Sequence, residues 1–200
     1  MAKDTNIKVN VYDFLSLADG KIAPYGIYDL VHNKGFVNVG LDHDTAAFSV
    51  ESIRRWWINF GQKEYPDATT IMITADGGGS NGTKNRLFKV ELQKLANEIG
   101  LPITVSHYPP YTSKWNAIEH KLFSFISINW RAKPLISLEV VIELLNHTTT
   151  KSGLTVAAMI DKNIYKTGIK VTDKQMGLLN IQKDDFHPEW NYTISPHTTL

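Results

Sequence analysis

Asp76 is the first residue whose type and position could do chemistry. It ends the apolar run Ile71–Ala75 and is followed by three consecutive glycines. A run rich in Ile and Thr that stops at glycine predicts a buried strand, so Asp76 should lie at its C-terminal end. Open α/β sheets bind ligands at this edge, and a carboxylate there can ligate a divalent cation. A simple Asx turn begun by Asp76 is the structural alternative.

The glycines after Asp76 allow a third interpretation, because a glycine-rich turn between a strand and a helix often binds phosphate. Gly77, Gly78 and Gly79 are consecutive, and Gly82 is followed by Thr83-Lys84. Neither the GxGxxG spacing nor a Gly-Lys-Ser/Thr ending of nucleotide loops is present. We therefore expect no nucleotide cofactor.

Glu119 is the second candidate. It falls in the first turns of a predicted helix that follows the proline-containing loop 108–113. If the strands before Asp76 and at 103–106 are neighbours, the start of this helix can approach Asp76. Two carboxylates a few ångströms apart can hold one or two divalent cations, which is the arrangement that cleaves phosphodiesters. The alternative is an acid that only stabilises the first turn of its helix.

Cationic residues surround Glu119, namely Lys114, His120 and Lys121, and the aromatic residues Tyr108, Tyr111 and Trp115 stand just before it. This mixture suits a phosphate backbone and an unstacked base, although a solvated basic face with core aromatics would have the same composition. The candidate DNA-binding residues are Lys84, Arg86, Lys114, Trp115, Asn116, His120 and Lys121.

Strands and helices alternate along the chain in an order typical of a mixed sheet with helices packed on it. Periodicity and turn residues predict strands at 7–14, 25–31, 36–41, 71–75 and 103–106, with the second and third forming a hairpin. They predict helices at about 45–60, 86–100, 116–130 and 137–146. From residue 148 the pattern loosens, apart from a weak helix near 173–179 and an apolar stretch at 190–194. We expect a catalytic core over 1–147 and a loosely structured C-terminal extension over 148–200.

Composition excludes several classes of protein. The 200 residues are 42% hydrophobic, include no cysteine, and carry 21 Lys plus Arg against 20 Asp plus Glu. Overall charge therefore gives no sign of a polyanionic partner, and any nucleic-acid surface must be local. No apolar run approaches the roughly 20 residues that span a bilayer, and residues 1–10 lack the apolar region of a signal peptide. We expect a soluble cytoplasmic protein with no membrane partner.

Two stretches carry a resemblance to a known family. Residues 73–81 are Ile-Thr-Ala-Asp-Gly-Gly-Gly-Ser-Asn, and residues 108–120 are Tyr-Pro-Pro-Tyr-Thr-Ser-Lys-Trp-Asn-Ala-Ile-Glu-His. With blocks at 25–30, 40–48 and 190–194, they resemble the Rhodopirellula branch of the DDE transposases of bacterial insertion sequences.

The resemblance implies a ribonuclease H-like fold, an α/β mixed sheet with flanking helices. It also implies DNA strand cleavage and strand transfer with Mg²⁺ or Mn²⁺, on transposon ends and target DNA. Asp76 matches the second catalytic Asp of the family and Glu119 matches its catalytic Glu.

The chain departs from the family at its beginning. The family's first catalytic Asp lies on an opening strand, in a stretch resembling Val-Asp-Thr-Lys-Lys-Lys-Glu, which this sequence does not contain. We therefore expect the chain to be the C-terminal part of a longer transposase, with an N-terminally truncated fold that lacks its first strand and with no activity in isolation. The alternative is a non-catalytic DNA-binding remnant of a transposase.

Three other aspartates could stand in for the missing one. Asp13, at the end of the predicted strand 7–14, is a weak candidate for the third catalytic carboxylate. Asp42 and Asp44 end a hairpin strand that we place at the sheet edge. At ordinary strand spacing they would lie about 10 Å from Asp76, which is too far to share a metal ion with it. Without a central strand, we expect the chain to self-associate through exposed strand edges rather than fill the gap with residues 7–14.

Overall fold

Seven strands form two mixed sheets in the part of the chain that the structure describes, residues 22–109, 111–131 and 137–198 of a computed structural model. In chain order they are β1 (Ala23–Asp29), β2 (Lys34–Gly40), β3 (Ile71–Ala75), β4 (Ile103–His107), β5 (Thr155–Asp161), β6 (Ile181–Lys183) and β7 (Asn191–Ile194). The first sheet has the order β1-β2-β5 and the second the order β3-β4-β7-β6.

The helices lie between and around these strands. They are α1 (Ala46–Trp56), α2 (Gln62–Glu64), α3 (Arg86–Ile99), α4 (Ser124–Trp130), α5 (Leu138–Asn146) and α6 (Asp173–Met176). A π-helical turn, Trp57–Gly61, joins α1 to α2, and another, Glu119–Phe123, leads into α4. The side chains of Thr45, Asn85 and Ser137 cap α1, α3 and α5 by accepting hydrogen bonds from backbone N–H groups. The helices predicted over these segments are therefore present.

The first sheet confirms the predicted hairpin and corrects its position. β1 and β2 pair in antiparallel register, with Gly26 opposite Val37. β5 then pairs in parallel with the other side of β2, with Gly40 opposite Asp161. The strand that precedes Asp42 and Asp44 is therefore internal to its sheet, and the prediction that it lies at the edge was wrong. The error arose because β5 pairs across more than a hundred residues, which no local pattern records.

The second sheet confirms that the strand before Asp76 and the next predicted strand are neighbours. β3 and β4 are parallel, with Ala75 opposite His107. β7 pairs antiparallel with β4, and β6 pairs antiparallel with β7. Strands β5, β6 and β7 all lie within 148–200, so this stretch contributes strands to both sheets. The division of the chain at residue 147 stays a prediction.

Two hydrophobic cores hold the helices on the sheets. In one, the face of the first sheet that bears Val37 and Val39 packs against α4 and α5; its buried members are Ile22, Val37, Val39, Leu122, Ile126, Trp130, Val141, Leu144, Leu145, Leu154 and Val156. In the other, α1 and α3 pack against β4 and β7; its buried members are Ala46, Val50, Ile53, Phe88, Leu92, Leu95, Ala96, Ile103, Val105, Tyr192 and Ile194. Tyr25 and Ile27 of β1 and Ile73 of β3 all contact this second core, so it joins the two sheets.

Hairpin glycines allow the helix after Glu119 to lie close to the first sheet. A Cβ atom at Gly26 would lie 2.5 Å from the Phe123 ring, and one at Gly35 would overlap the Leu122 side chain. Real side chains do not approach this closely, so glycine at these positions fixes the distance between helix and sheet. Because Glu119 is one turn before Leu122 and Phe123, the same contacts fix its position.

The mixed α/β architecture, with two mixed sheets and flanking helices, is compatible with a ribonuclease H-like fold. Within the described residues, β1 ends one sheet and β3 ends the other, so each has one side without a hydrogen-bonded strand. Asp13 and the predicted strand 7–14 lie outside the described residues. None of the described helices is long and apolar enough to cross a membrane.

Candidate active site

Asp76 lies directly after β3, at the C-terminal end of the strand, as the sequence predicts. The backbone N–H of Tyr108 donates to the carbonyl oxygen of Ala75 at 2.8 Å. This bond places the ends of β3 and β4 side by side at the edge where Asp76 emerges. Asp76 is exposed there, so its carboxylate is open to a ligand.

The glycine loop after Asp76 is folded tightly on itself. The N–H of Gly82 donates to the Gly79 carbonyl at 3.2 Å, and Gly79 has a φ of +68°. A Cβ at Gly82 would lie 3.1 Å from the Gly77 carbonyl oxygen, so a larger residue would open the loop. The Asn85 side chain accepts from Phe88 N–H at 3.3 Å and thus caps the start of α3. One of the free N–H groups at the start of α3 is therefore already hydrogen-bonded to the helix's own cap. In a phosphate-binding loop, the phosphate accepts such bonds.

Side chains from distant elements attach this loop to the rest of the domain. The hydroxyls of Ser49, on α1, and Ser80 lie 2.6 Å apart. The Tyr25 phenol, on β1, interacts with the side chains of Asn81 and Ser49. The buried His107 ring holds the Asn81 carbonyl oxygen at 2.8 Å from its Nε2 atom. Strands from both sheets and helix α1 thus converge on the loop.

Electrostatics distinguish Asp76 from an ordinary surface acid. Partial burial raises the pKa of the Asp76 carboxyl, and the charge of Asp44 adds to the increase, whereas His107 opposes it. Burial also raises the pKa of the Tyr25 phenol well above its usual range, with further increases from Asp44 and Asp76. Negative charge is therefore concentrated at this edge, and a bound cation would relieve the repulsion.

Asp42 and Asp44 have different surroundings, although they are only two residues apart. The Asp42 carboxylate accepts the Tyr165 backbone N–H at 2.6 Å, and this bond, together with His43, lowers the pKa of Asp42. Asp42 therefore has a structural partner. Asp44 is exposed, and its charge acts on both Asp76 and Tyr25.

Glu119 is exposed on the first residue of its π-helical turn, an irregularity often found at functional sites. It is not among the charges that shift the pKa of Asp76. Within the described residues, no three His, Asp or Glu side chains form a group that could hold a metal ion. The structure thus places both predicted carboxylates at the surface, Asp76 directly after β3 and Glu119 at the start of the turn that leads into α4.

The predicted DNA-binding residues divide into accessible and constrained ones. Trp115 is 68% exposed, and the Lys114 ammonium lies 5.3 Å from the centre of its ring. Lys84 and Lys121 are also exposed. By contrast, Asn116 is buried, the His120 ring contacts the Lys114 carbonyl oxygen at 2.9 Å, and Arg86 forms an ion pair with Asp173 at 2.6 Å.

A family model described as "Rhodopirellula transposase DDE domain" matches residues 1–196 of the chain. The chain belongs to this family. The match confirms the resemblance seen in the sequence and connects this transposase domain with transposition, with DNA as its partner and with the divalent metal that DDE domains generally use. Neither the curated proteins nor the solved structures include a match to the chain.

Sequence reasoning missed the side chains that support the site. Tyr25, Ser49 and Asn81 come from three separate elements, and no spacing rule connects them. Two of the family-like blocks, 25–30 and 40–48, nevertheless contain Tyr25 and Asp44. Those blocks were the available signal that the hairpin and its end contribute to the Asp76 edge.

Proposed function

We propose that this transposase domain performs metal-dependent DNA strand cleavage and strand transfer during transposition of an insertion sequence. Asp76 and Glu119 serve as ligands of Mg²⁺ or Mn²⁺. The observation that carries the proposal is the family match over residues 1–196 together with an exposed Asp76 at the C-terminal edge of a parallel strand pair. A ribonuclease H-like arrangement of the whole sheet is part of the same proposal.

The chemistry of the donors fits a hard divalent cation. Asp76 and Glu119 supply carboxylate oxygens, which Mg²⁺ prefers, and the Asp76 carboxyl has a raised pKa because of burial and the nearby Asp44 charge. A cation would stabilise the ionised form that ligation requires. Among the described residues, no three His, Asp or Glu side chains form a group that could hold a metal ion. Asp13, outside the described residues, is our weaker candidate for it.

The residues of this chain have separate parts in the reaction. Divalent ions bound at the carboxylates would activate the attacking oxygen and stabilise the leaving one. The glycines after Asp76 carry no side chains, so they leave space in which a DNA strand can approach the backbone beside Asp76. Exposed Trp115 provides a face on which a base can stack, and Lys114 and Lys121 neutralise phosphate charge. Lys84 and Arg86 extend this charge beyond the glycine loop.

A non-catalytic DNA-binding remnant is the second candidate function. The observation that favours it is the lack of a three-ligand group within the described residues. In that case the cationic and aromatic residues around Glu119 would still bind DNA, because phosphate contacts do not depend on the metal site.

Nicking of supercoiled plasmid DNA separates the two functions. The purified chain is incubated with Mn²⁺, with Mg²⁺ or with chelator, and its Asp76→Asn and Glu119→Gln variants are treated in parallel. An enzyme nicks only with metal, and each variant lowers the rate by at least about a hundredfold, since each removes a ligand. Asp67→Asn, which removes an exposed acid that has no part in the proposed site, serves as a matched control and should nick at the wild-type rate.

Salt-dependent DNA binding without nicking would support the remnant, and lack of any DNA binding would reject both functions. Asp76→Asn protein that nicks as fast as wild type would reject the assigned metal ligand.

A further inference from the structure

The connection between β5 and α6 is an exposed segment of one charge sign. Residues 162–172 contain Lys162, Lys166 and Lys170 and no Asp or Glu. All three lysines are exposed, and none forms an ion pair with another described residue. We call residues 162–172 the lysine segment. The predicted loosely structured extension contains it, and its lysines were not among the predicted DNA-binding residues.

The first end of the lysine segment is fixed to the start of α1. The Tyr165 hydroxyl donates to the buried Asp161 carboxylate at 2.6 Å, and the Tyr165 N–H donates to Asp42 at 2.6 Å. The Tyr165 ring also packs against Phe48 of α1, with 5.5 Å between ring centres. These contacts hold Lys162 and Lys166, which lie on either side of Tyr165, beside the β2–α1 junction that contains Asp44.

The second end is fixed to the start of α3. The Arg86 guanidinium donates to the Val171 carbonyl oxygen at 3.3 Å and pairs with Asp173 at 2.6 Å. Arg86 is the first residue of α3, directly after the glycine loop. The lysine segment therefore runs from one helix start to the other along the edge of the domain where Asp76 emerges.

Further cations continue the positive surface beyond this second anchor. Lys89, on the first turns of α3, has a pKa lowered mainly by burial and further by the charges of Lys183 and Arg86. Like charges placed this close repel one another, and such a cluster is favourable when an anion binds across it. The lysine segment and this cluster thus border the same helix terminus.

We propose that the lysine segment binds the phosphate backbone of duplex DNA beside the Asp76 edge. The inference rests on the proposed DNA-directed function, and it assigns a second contact surface, separate from the residues around Glu119. A merely solvated face usually mixes both charge signs, whereas this segment carries one sign and is anchored at both ends. The anchors reduce the entropy lost when a strand is bound.

The test replaces all three lysines by glutamine in the full chain, as K162Q/K166Q/K170Q. A control, K63Q/K94Q/K151Q, changes the net charge equally at three other exposed lysines. Binding to a short fluorescent duplex of arbitrary sequence is measured by anisotropy as salt is raised from about 50 to 200 mM. We expect the lysine-segment variant to bind about tenfold or more weakly at low salt, with a salt slope smaller by about 2 to 3. The control should keep the wild-type slope.

The outcomes separate this inference from the function on which it rests. If the lysine-segment variant kept the wild-type salt slope while a K114Q/K121Q variant bound DNA more weakly, the proposed role of the lysine segment would be overturned and the proposed function would remain intact. Wild-type protein that binds no duplex would overturn both. Equal losses in the lysine-segment variant and its control would also overturn the inference, because only net charge would then matter. Circular dichroism spectra of each variant confirm that it is folded.

Discussion

At Asp76, the proposed role as a metal ligand opposes the stability of the fold. Its carboxyl is partly desolvated and lies under the influence of Asp44, so the ionised form that a metal needs is disfavoured in the folded chain. A carboxyl with a raised pKa at the end of a parallel strand is a candidate functional residue. The sequence predicted its position at the strand end, but it could not predict the pKa, because the responsible burial and charge come from other elements.

The raised pKa of Asp76 predicts a specific dependence of stability on pH. Between the ordinary Asp pKa and the raised one, the folded chain holds a proton that the unfolded chain has lost, so the free energy of unfolding falls as pH rises through this window. Asp76→Asn should therefore be more stable than wild type above the window and equal to it below. Because Asp76 is exposed, solvent screening keeps the difference well below about 1 kcal/mol. Thermal unfolding of both proteins from acidic to neutral pH measures this difference. A wild type that gains stability relative to Asp76→Asn as pH rises would contradict the raised pKa.

Adding Mn²⁺ at neutral pH should raise the melting temperature of the wild-type protein, because a bound ion stabilises the folded chain. The melting temperature of Asp76→Asn should stay unchanged, because this variant lacks the proposed metal ligand. An equal rise in both proteins would place the metal elsewhere.

At the scale of elements, the sequence predicted the helices and strands that depend on contacts between neighbouring residues. The hairpin, α1, the β3–loop–α3 unit and β4 follow from alternation, apolar spacing and caps on neighbouring residues. β5 was missed because its partner β2 is far away in the chain and because it ends on Asp161, a residue typical of loops. That carboxylate is fully buried and is bound by Arg55 at 2.9 Å, Asn38 at 3.2 Å and Tyr165 at 2.6 Å.

The Asp161 contacts predict that β5 stabilises the whole domain. Asp161→Ala leaves the Arg55 guanidinium and the Asn38 amide without their buried acceptor, which should lower the free energy of unfolding by about 2 to 4 kcal/mol. Urea denaturation measures this change. Asp173→Ala breaks an ion pair that is largely exposed and should change stability by no more than about 0.5 kcal/mol. Similar small effects in both variants would show that β5 is dispensable.

At the scale of the whole molecule, the two sheets share a core but no hydrogen-bonded strand connects them within the described residues. β1 and β3 each end a sheet, and an unpaired edge can bind another chain. The family resemblance led us to expect a fold without its first, central strand and therefore with exposed strand edges. No local pattern could decide this, since sheet completion depends on which segments meet in three dimensions.

These edges predict that the isolated chain self-associates across the micromolar range. Met72→Lys places a charge on the exposed side of β3, where Met72 is 66% exposed, and should shift the chain toward monomer. Leu178→Lys introduces the same charge at a similarly exposed residue outside the sheets and should leave association unchanged. Sedimentation velocity distinguishes these results. A wild-type chain that is monomeric at every concentration would contradict the prediction.

The central claim is that Asp76 and Glu119 hold the same divalent metal. Iron-directed cleavage tests it most directly, because Fe²⁺ exchanged for Mg²⁺ produces hydroxyl radicals, with ascorbate and peroxide, that cut the polypeptide next to the ion. The account predicts cuts in two stretches, the glycine loop after Asp76 and the turn at Glu119, with both lost together in Asp76→Asn. Cuts confined to one stretch, cuts elsewhere in the chain, or a pattern unchanged by Asp76→Asn would contradict it.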